Sequence, residues 1–242
     1  MWISLKKKPL LRELIPEDAV DIHNHVLPGI DDGAKDTAHT LALLEGMRDL
    51  GYKSIIATPH TMQEVYENTS ETIRSSFEGV VSIAKELSLE LSYASEYMLD
   101  AGFKDRIGSG LLTLKENMVL VELSFLQPIN DLFELLFELQ IKGYRPILAH
   151  PERYQYYGNQ FDQFEKLKDS GCMFQMNLLS AVGHYGPDVS KIADKLLKAG
   201  MIDLAGSDIH HTHHLKSFHN KVVLKEYKIL EKALERTKDI FS

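Results

Sequence analysis

Cysteine is almost absent from this chain. Cys172 stands alone among 242 residues, so no internal disulfide and no thiolate metal site can form. A reducing compartment is the simplest expectation, and a cytoplasmic location with it. The residue six positions beyond Cys172 is Leu178 rather than arginine, which argues against thiolate-based phosphate chemistry. Long apolar runs are missing too. Nothing approaches the roughly 18 residues of a membrane span, so no membrane insertion is expected. The basic start, Met1 to Lys8, leads into Arg12, Glu13, Glu17 and Asp18 instead of an apolar stretch, which is not how a signal peptide reads. Positive charge is in deficit, with 27 Lys and Arg against 35 Asp and Glu and a net charge of −8. Nucleic acid is therefore a poor partner. Neither a G-x-x-x-x-G-K-[ST] loop nor a G-x-S-x-G elbow occurs.

The rest of the composition is ordinary for a globular protein, 44% hydrophobic and 26% charged, and the length suits one α/β barrel. Apolar, β-rich runs recur at 19–25, 54–60, 89–96, 118–125, 145–150, 173–177 and 202–210. Helix-length segments lie between most of them. Residues 36–50 are an example, with Asp36 as N-cap and Leu41, Leu44 and Met47 at helical spacing. Gly51, Gly143, Gly171 and Gly200 precede strands, as glycines that stop helices do. Strand–helix alternation with short connections predicts a parallel sheet. About seven such units without a linker predict a single closed or nearly closed α/β barrel over 19–242, with an open doubly wound sheet as the alternative. Residues 1–18 read as an N-terminal extension.

The polar residues fall where these runs finish. Asp21, His23 and His25 close the first and His60 the second. Glu96 closes the third, Glu122 falls late in the fourth, His150 closes the fifth, and Asp208 and His210 close the seventh. In His-x-His at a strand end both imidazoles face one side of the pleat. A carboxylate such as Glu122, set in Met118-Val119-Leu120-Val121, needs a partner. A lone histidine at a strand end is usually a satisfied structural residue. The repetition on several strands instead points to divalent ions held by imidazole and carboxylate at the C-terminal end of a barrel, and to metal-assisted hydrolysis. Asp32 of Asp31-Asp32-Gly33 joins the candidates, although that triplet also reads as a turn. Arg153, three residues beyond His150, is a candidate functional cation. His211 and His219 read as solvated loop residues, and Tyr154, Tyr156 and Tyr157 as a loop packed on the barrel rim.

In order, His23-Asn24-His25, Asp31-Asp32-Gly33, Thr58-Pro59-His60, Glu96, Val121-Glu122, His150-Pro151-Glu152-Arg153 and Ser207-Asp208-Ile209-His210 resemble the PHP (polymerase and histidinol phosphatase) superfamily. Within it the chain most resembles bacterial manganese-dependent protein-tyrosine phosphatases of capsule and exopolysaccharide operons, from about Ala19 to past His210. The resemblance implies a single distorted (β/α)7 barrel. It implies a centre of three divalent ions, manganese first with iron, zinc or magnesium as alternatives, on His23, His25, Asp32, His60, Glu96, Glu122, His150, Asp208 and His210. Arg153 would bind phosphate, water acidified by the ions would be the nucleophile, and a phosphotyrosine protein, a bacterial tyrosine autokinase, would be the substrate. Related proteins often carry a second arginine after the last Asp-x-His. None follows here, which leaves His213, His214 or Lys216 as substitutes. The alternatives are a PHP phosphatase of a small phosphomonoester such as histidinol phosphate, a metal-dependent amide or ester hydrolase, and a non-enzymatic interaction protein.

Overall fold

In the structure, a computed structural model, residues 7–242 are described. Residues 1–6 of the expected extension lie outside them. The remainder of that extension is tied to the domain. Leu10 bridges Lys221 in antiparallel fashion, and a 3-10 turn over Leu11–Leu14 buries Leu11 and Leu14 in the core. Packing therefore begins before residue 19.

The strands are β1 (Ala19–Asp21), β2 (Tyr52–Ala57), β3 (His60–Thr61), β4 (Glu90–Tyr93), β5 (Glu96–Met98), β6 (Met118–Glu122), β7 (Arg145–Ala149), β8 (Met173–Asn177) and β9 (Leu204–Gly206). Every ladder is parallel. They fall into two sheets, β1-β2-β4 and β3-β5-β6-β7-β8-β9. Thr58-Pro59 separates β2 from β3, and Ala94-Ser95 separates β4 from β5. Proline cannot donate to a ladder, and the broken strands stay joined by bonds from Ala94 N to Ala57 O and from Glu96 N to Pro59 O. The nine segments thus occupy seven strand positions. The ring closes between first and last, where Asn24 bridges Ile209, His25 N donates to Ile209 O and Asp208 N donates to His23 O. This is the distorted barrel, not the open sheet.

The helices are α1 (Thr37–Asp49), α2 (Ser70–Glu78), α3 (Val81–Glu86), α4 (Phe103–Ser109), α5 (Leu132–Ile141), α6 (Phe161–Asp169), α7 (Pro187–Lys198), α8 (Thr212–Ser217) and α9 (Tyr227–Phe241). Asp36 caps α1 as expected, its Oδ1 accepting from His39 N at 2.8 Å. Leu43 joins Leu44 and Met47 on the buried face, while Leu41 turns to solvent. Two hydrophobic clusters divide the core. The larger lies between barrel and helices. The smaller takes Val20, Ile56, Ala94, Leu120, Ile147, Met173 and Leu204 from the successive strand positions, with Phe241 of α9 packed against them, and so fills the barrel interior. Cys172 is buried, which pushes its thiol up to about 12. Among the described residues no helix is long and apolar enough to cross a membrane.

Candidate metal centre

Side chains two apart on a strand share a face, so the interior rows can be followed upward. On β6 the row is Met118, Leu120, Glu122. On β8 it is Met173, Gln175, Asn177, and on β9 Leu204 and Gly206 lead to Asp208. Apolar members fill the barrel, and polar members stand at its C-terminal mouth. His23 and His25 follow β1, His60 opens β3, Glu96 opens β5 and His150 follows β7. Glu96 thus begins a short strand where the sequence pattern had it closing a longer one.

Glu96 is the hub of the cluster. Its Oε2 lies 3.1 Å from His23 Nε2, 3.4 Å from His25 Nε2 and 3.2 Å from His60 Nδ1, and its Oε1 lies 3.1 Å from His150 Nε2. Asp208 Oδ1 is 3.3 Å from His23 Nε2 and 3.4 Å from His25 Nε2. Glu122 Oε1 is 2.9 Å from His60 Nδ1. Asp32 Oδ1 reaches His60 Nε2 at 3.6 Å and His210 Nε2 at 3.5 Å. Three overlapping groups each bring ligand atoms within 4.8 Å of one another: His25, Asp32, His60 and His210; His23, His25, Glu96 and Asp208; and His60, Glu96 and Glu122. Between them they hold every ligand expected from the sequence except His150, which adjoins through Glu96.

Six buried ligand-type atoms here make no hydrogen bond: His23 Nε2, His25 Nε2, His60 Nδ1, Glu96 Oε2, Glu122 Oε1 and His150 Nδ1. Five of the six face one another at 2.9–3.4 Å as imidazole–carboxylate contacts without hydrogen-bond alignment, and leaving buried polar atoms so costs stability. Such a set fits divalent ions, whose binding would use these atoms. The outer faces of two rings are already engaged. His23 Nδ1 donates to Gln175 Oε1 at 2.7 Å and His25 Nδ1 to Asp31 Oδ2 at 2.7 Å. That is how metal-binding imidazoles are commonly aimed. Gln175 escaped the sequence reading, although a polar residue between Phe174 and Met176 was a visible signal. Asp31, in Asp31-Asp32-Gly33, reads from sequence as a turn residue, and its contact with His25 appears only in the fold.

The charges answer one another. Burial opposes the charge on His25, yet Asp31 and Asp208 raise it well above the usual range. Burial likewise opposes His60, and Glu122 and Glu96 raise it to about 9. Burial would raise Asp208 and Glu96, but neighbouring imidazoles, His23 foremost, hold both carboxyls well below the usual carboxylate range. His150 is lowered, by burial first and by Arg153 next.

A cavity of about 240 Å³ opens over the cluster, lined among others by His60, His150, Asp208 and Arg153. Arg153 Nη1 donates to Asp208 Oδ2 at 2.9 Å, and Asn177 Nδ2 donates to the same oxygen at 2.7 Å. Among the substitutes for a second arginine, only His214 lines this cavity. His213 is exposed, and Lys216 lines a separate cleft with Arg12, Asp49 and His219, because it lies on a different face of α8. Tyr154 packs the rim as expected, its Oη accepting from Leu123 N and donating to Ala149 O.

Fold and site together define a barrel of the PHP type with a histidine–carboxylate cluster at its mouth. A family model for capsular polysaccharide synthesis proteins, CpsB/CapC, matches residues 19–235, and the chain belongs to that family. It is 29% identical over 209 residues to the tyrosine-protein phosphatase YwqE of Bacillus subtilis, covering 85% of this chain and 82% of that one. It is 30% identical over 222 residues to the putative tyrosine-protein phosphatase CapC of Staphylococcus aureus, covering 86% and 85%. Among solved structures it is similar, with a TM-score of 0.77, 27% identity and coverage of 88% and 86%, to a chain from the crystal structures of YwqE from Bacillus subtilis and CpsB from Streptococcus pneumoniae, described as unique metal-dependent tyrosine phosphatases.

Proposed function

We propose that this chain is a metal-dependent protein-tyrosine phosphatase. The observation that carries the reading is the barrel mouth, where unpartnered imidazole and carboxylate atoms stand beside one guanidinium. His23, His25, Asp32, His60, Glu96, Glu122, His150, Asp208 and His210 would hold three divalent ions, manganese first, with iron, zinc or magnesium as alternatives. When bound, such ions supply Lewis acidity and bring the pKa of water toward neutrality. Glu96 faces imidazoles of more than one group, which supports a bridging role. Three divalent ions would outweigh the four carboxylates of the set and leave a positive site for a phosphate dianion in an acidic chain.

Arg153 would hold nonbridging phosphate oxygens with its planar fork as charge spreads over them. Asp208 keeps that fork oriented before substrate arrives. The names of the relatives support a phosphotyrosine protein as substrate, and the capsule family supports a tyrosine autokinase of polysaccharide export as its source. A cytoplasmic location belongs to the same reading.

The test is turnover by chelator-stripped protein of a phosphotyrosine peptide, a phosphoserine peptide and histidinol phosphate, with each ion added back. Activity should vanish on stripping, return best with manganese, and favour the phosphotyrosine peptide. Undiminished turnover in verified metal-free protein would sink the metal-dependent reading. Preference for histidinol phosphate would replace the substrate.

A further inference from the structure

Arg153 lies between two aromatic rings. Its guanidinium carbon is 4.3 Å from the centroid of Phe125 and 4.2 Å from that of Tyr185. Guanidinium planes are attracted to aromatic faces, while the ion pair with Asp208 sets the direction of the fork. The two rings differ in what else they meet. Tyr185 is anchored by Asn177, whose Nδ2 donates to its Oη at 2.9 Å. Phe125 rests against His150 and Tyr154, with centroids 5.4 and 5.7 Å away, yet 44% of its surface remains open, and Leu126 beside it is 92% exposed. A single exposed apolar residue is unremarkable. Phe125, however, lines the site cavity together with Arg153 and is held in place by three neighbours, so the mouth carries a preformed, partly open apolar surface next to the cation proposed to bind phosphate.

In an aryl phosphate one ester oxygen separates the ring from phosphorus. If Arg153 holds the phosphate, the ring falls within reach of Phe125. An alkyl phosphate offers no flat face there. Resting on the phosphatase reading above, we propose that Phe125 is a specificity-determining residue whose open part packs against the substrate's aryl ring and so selects aryl over alkyl phosphomonoesters. Tyr185 is the positioning residue that backs Arg153 from the other side.

The test compares phosphotyrosine and phosphoserine versions of one peptide on the metal-loaded parent, Phe125→Leu and Phe125→Trp, with inorganic phosphate as inhibitor. Phe125→Leu should lower the aryl-to-alkyl ratio of kcat/KM about fivefold, the size of one aromatic contact, chiefly through KM. Phe125→Trp should restore the ratio, and the inhibition constant of phosphate should stay constant throughout. A ratio that does not move, or equal losses on both peptides with weaker phosphate inhibition, overturns the proposal and leaves Phe125 as packing for Arg153. A parent that turns over neither peptide overturns the phosphatase reading itself, a result distinct from an unmoved ratio.

Discussion

Gln175 is uncharged and yet sets the state of His23. Its Nε2 donates to Met176 O at 2.7 Å, so Oε1 is the atom that faces the imidazole. That makes Nδ1 the donor and leaves Nε2 for the cluster whenever the ring is neutral. Gln175→Leu keeps the bulk and removes the acceptor. Ion affinity should weaken roughly 10- to 100-fold, the usual cost of losing such a partner, while the circular dichroism spectrum holds; unchanged affinity would mean that His23 needs no aiming. Arg153 makes the complementary case. Arg153→Ala should leave ion content intact and lower kcat/KM for a phosphotyrosine peptide by about 2–4 kcal/mol, roughly 30- to 1000-fold. Arg153→Lys should recover part of that, since an ammonium cannot fork. Near-parental turnover by Arg153→Ala would return Arg153 to the role of a rim residue. At this scale residue type alone was ambiguous. Asp31 and Asp32 are adjacent carboxylates, yet Asp31 is enclosed against His25 while the Asp32 side chain is 54% exposed and reaches His60 and His210.

The elements explain why the sequence pattern overran the strands. Alternation suggested strands over 19–25 and 202–210, whereas the ladders stop at Asp21 and Gly206. The last ladder bond leaves no mark on residue type. His150 and Asp208 take left-handed backbone, with φ of 35° and 52°, and His and Asp tolerate that region better than most residues. Helix starts and stops were more legible, because caps have their own chemistry. Asp36 begins α1, and Gly51, Gly143, Gly171 and Gly200 all adopt positive φ. Gly206 has a tighter reason to be glycine. A Cβ there would lie 2.7 Å from His23 Cβ and 2.8 Å from Gln175 Nε2, so β9 approaches β1 and β8 closely only without one. Gly206→Ala should destabilise by about 1–3 kcal/mol, as overpacking does, and reduce ion content as well. Gly108, inside α4 with nothing within 4 Å of its Cβ position, is the control. Gly108→Ala should stabilise by about 0.5–1 kcal/mol. Equal melting temperatures for the two variants would refute the close-approach argument.

Across the whole molecule, the barrel was legible because alternation, glycine stops and strand-end polarity agreed with one another, and the candidate site because eight histidines and carboxylates recurred at strand ends, with Asp32 in a turn beside them. The geometry joining them was not legible, since closure runs through Asn24 and Ile209, whose side-chain types do not announce a bridge. That closure makes the centre a matter of stability as well as chemistry: candidate ligands from β3, β5 and β6 and from the segments after β1, β7 and β9 meet only in the folded barrel. Ions that bind the folded state alone should stabilise it by about 2.7 kcal/mol at a hundredfold excess over the dissociation constant. Chelation should therefore lower the melting temperature, and manganese should restore it. The increment should also depend on pH. His60 is raised to about 9 by Glu122 and Glu96 against the opposing effect of burial, so at neutral pH its ring carries a proton that must leave before the ring can ligate. Lowering the pH makes that release costlier. The manganese-induced rise in melting temperature should therefore shrink from pH 9 toward pH 6, and binding at pH 7 should release protons, measured by calorimetry in buffers of different ionisation enthalpy. Glu96→Gln removes the charge common to two groups, and its manganese increment should be smaller at every pH. A full increment in that variant, or one independent of pH, would separate ion binding from this cluster and move the centre elsewhere.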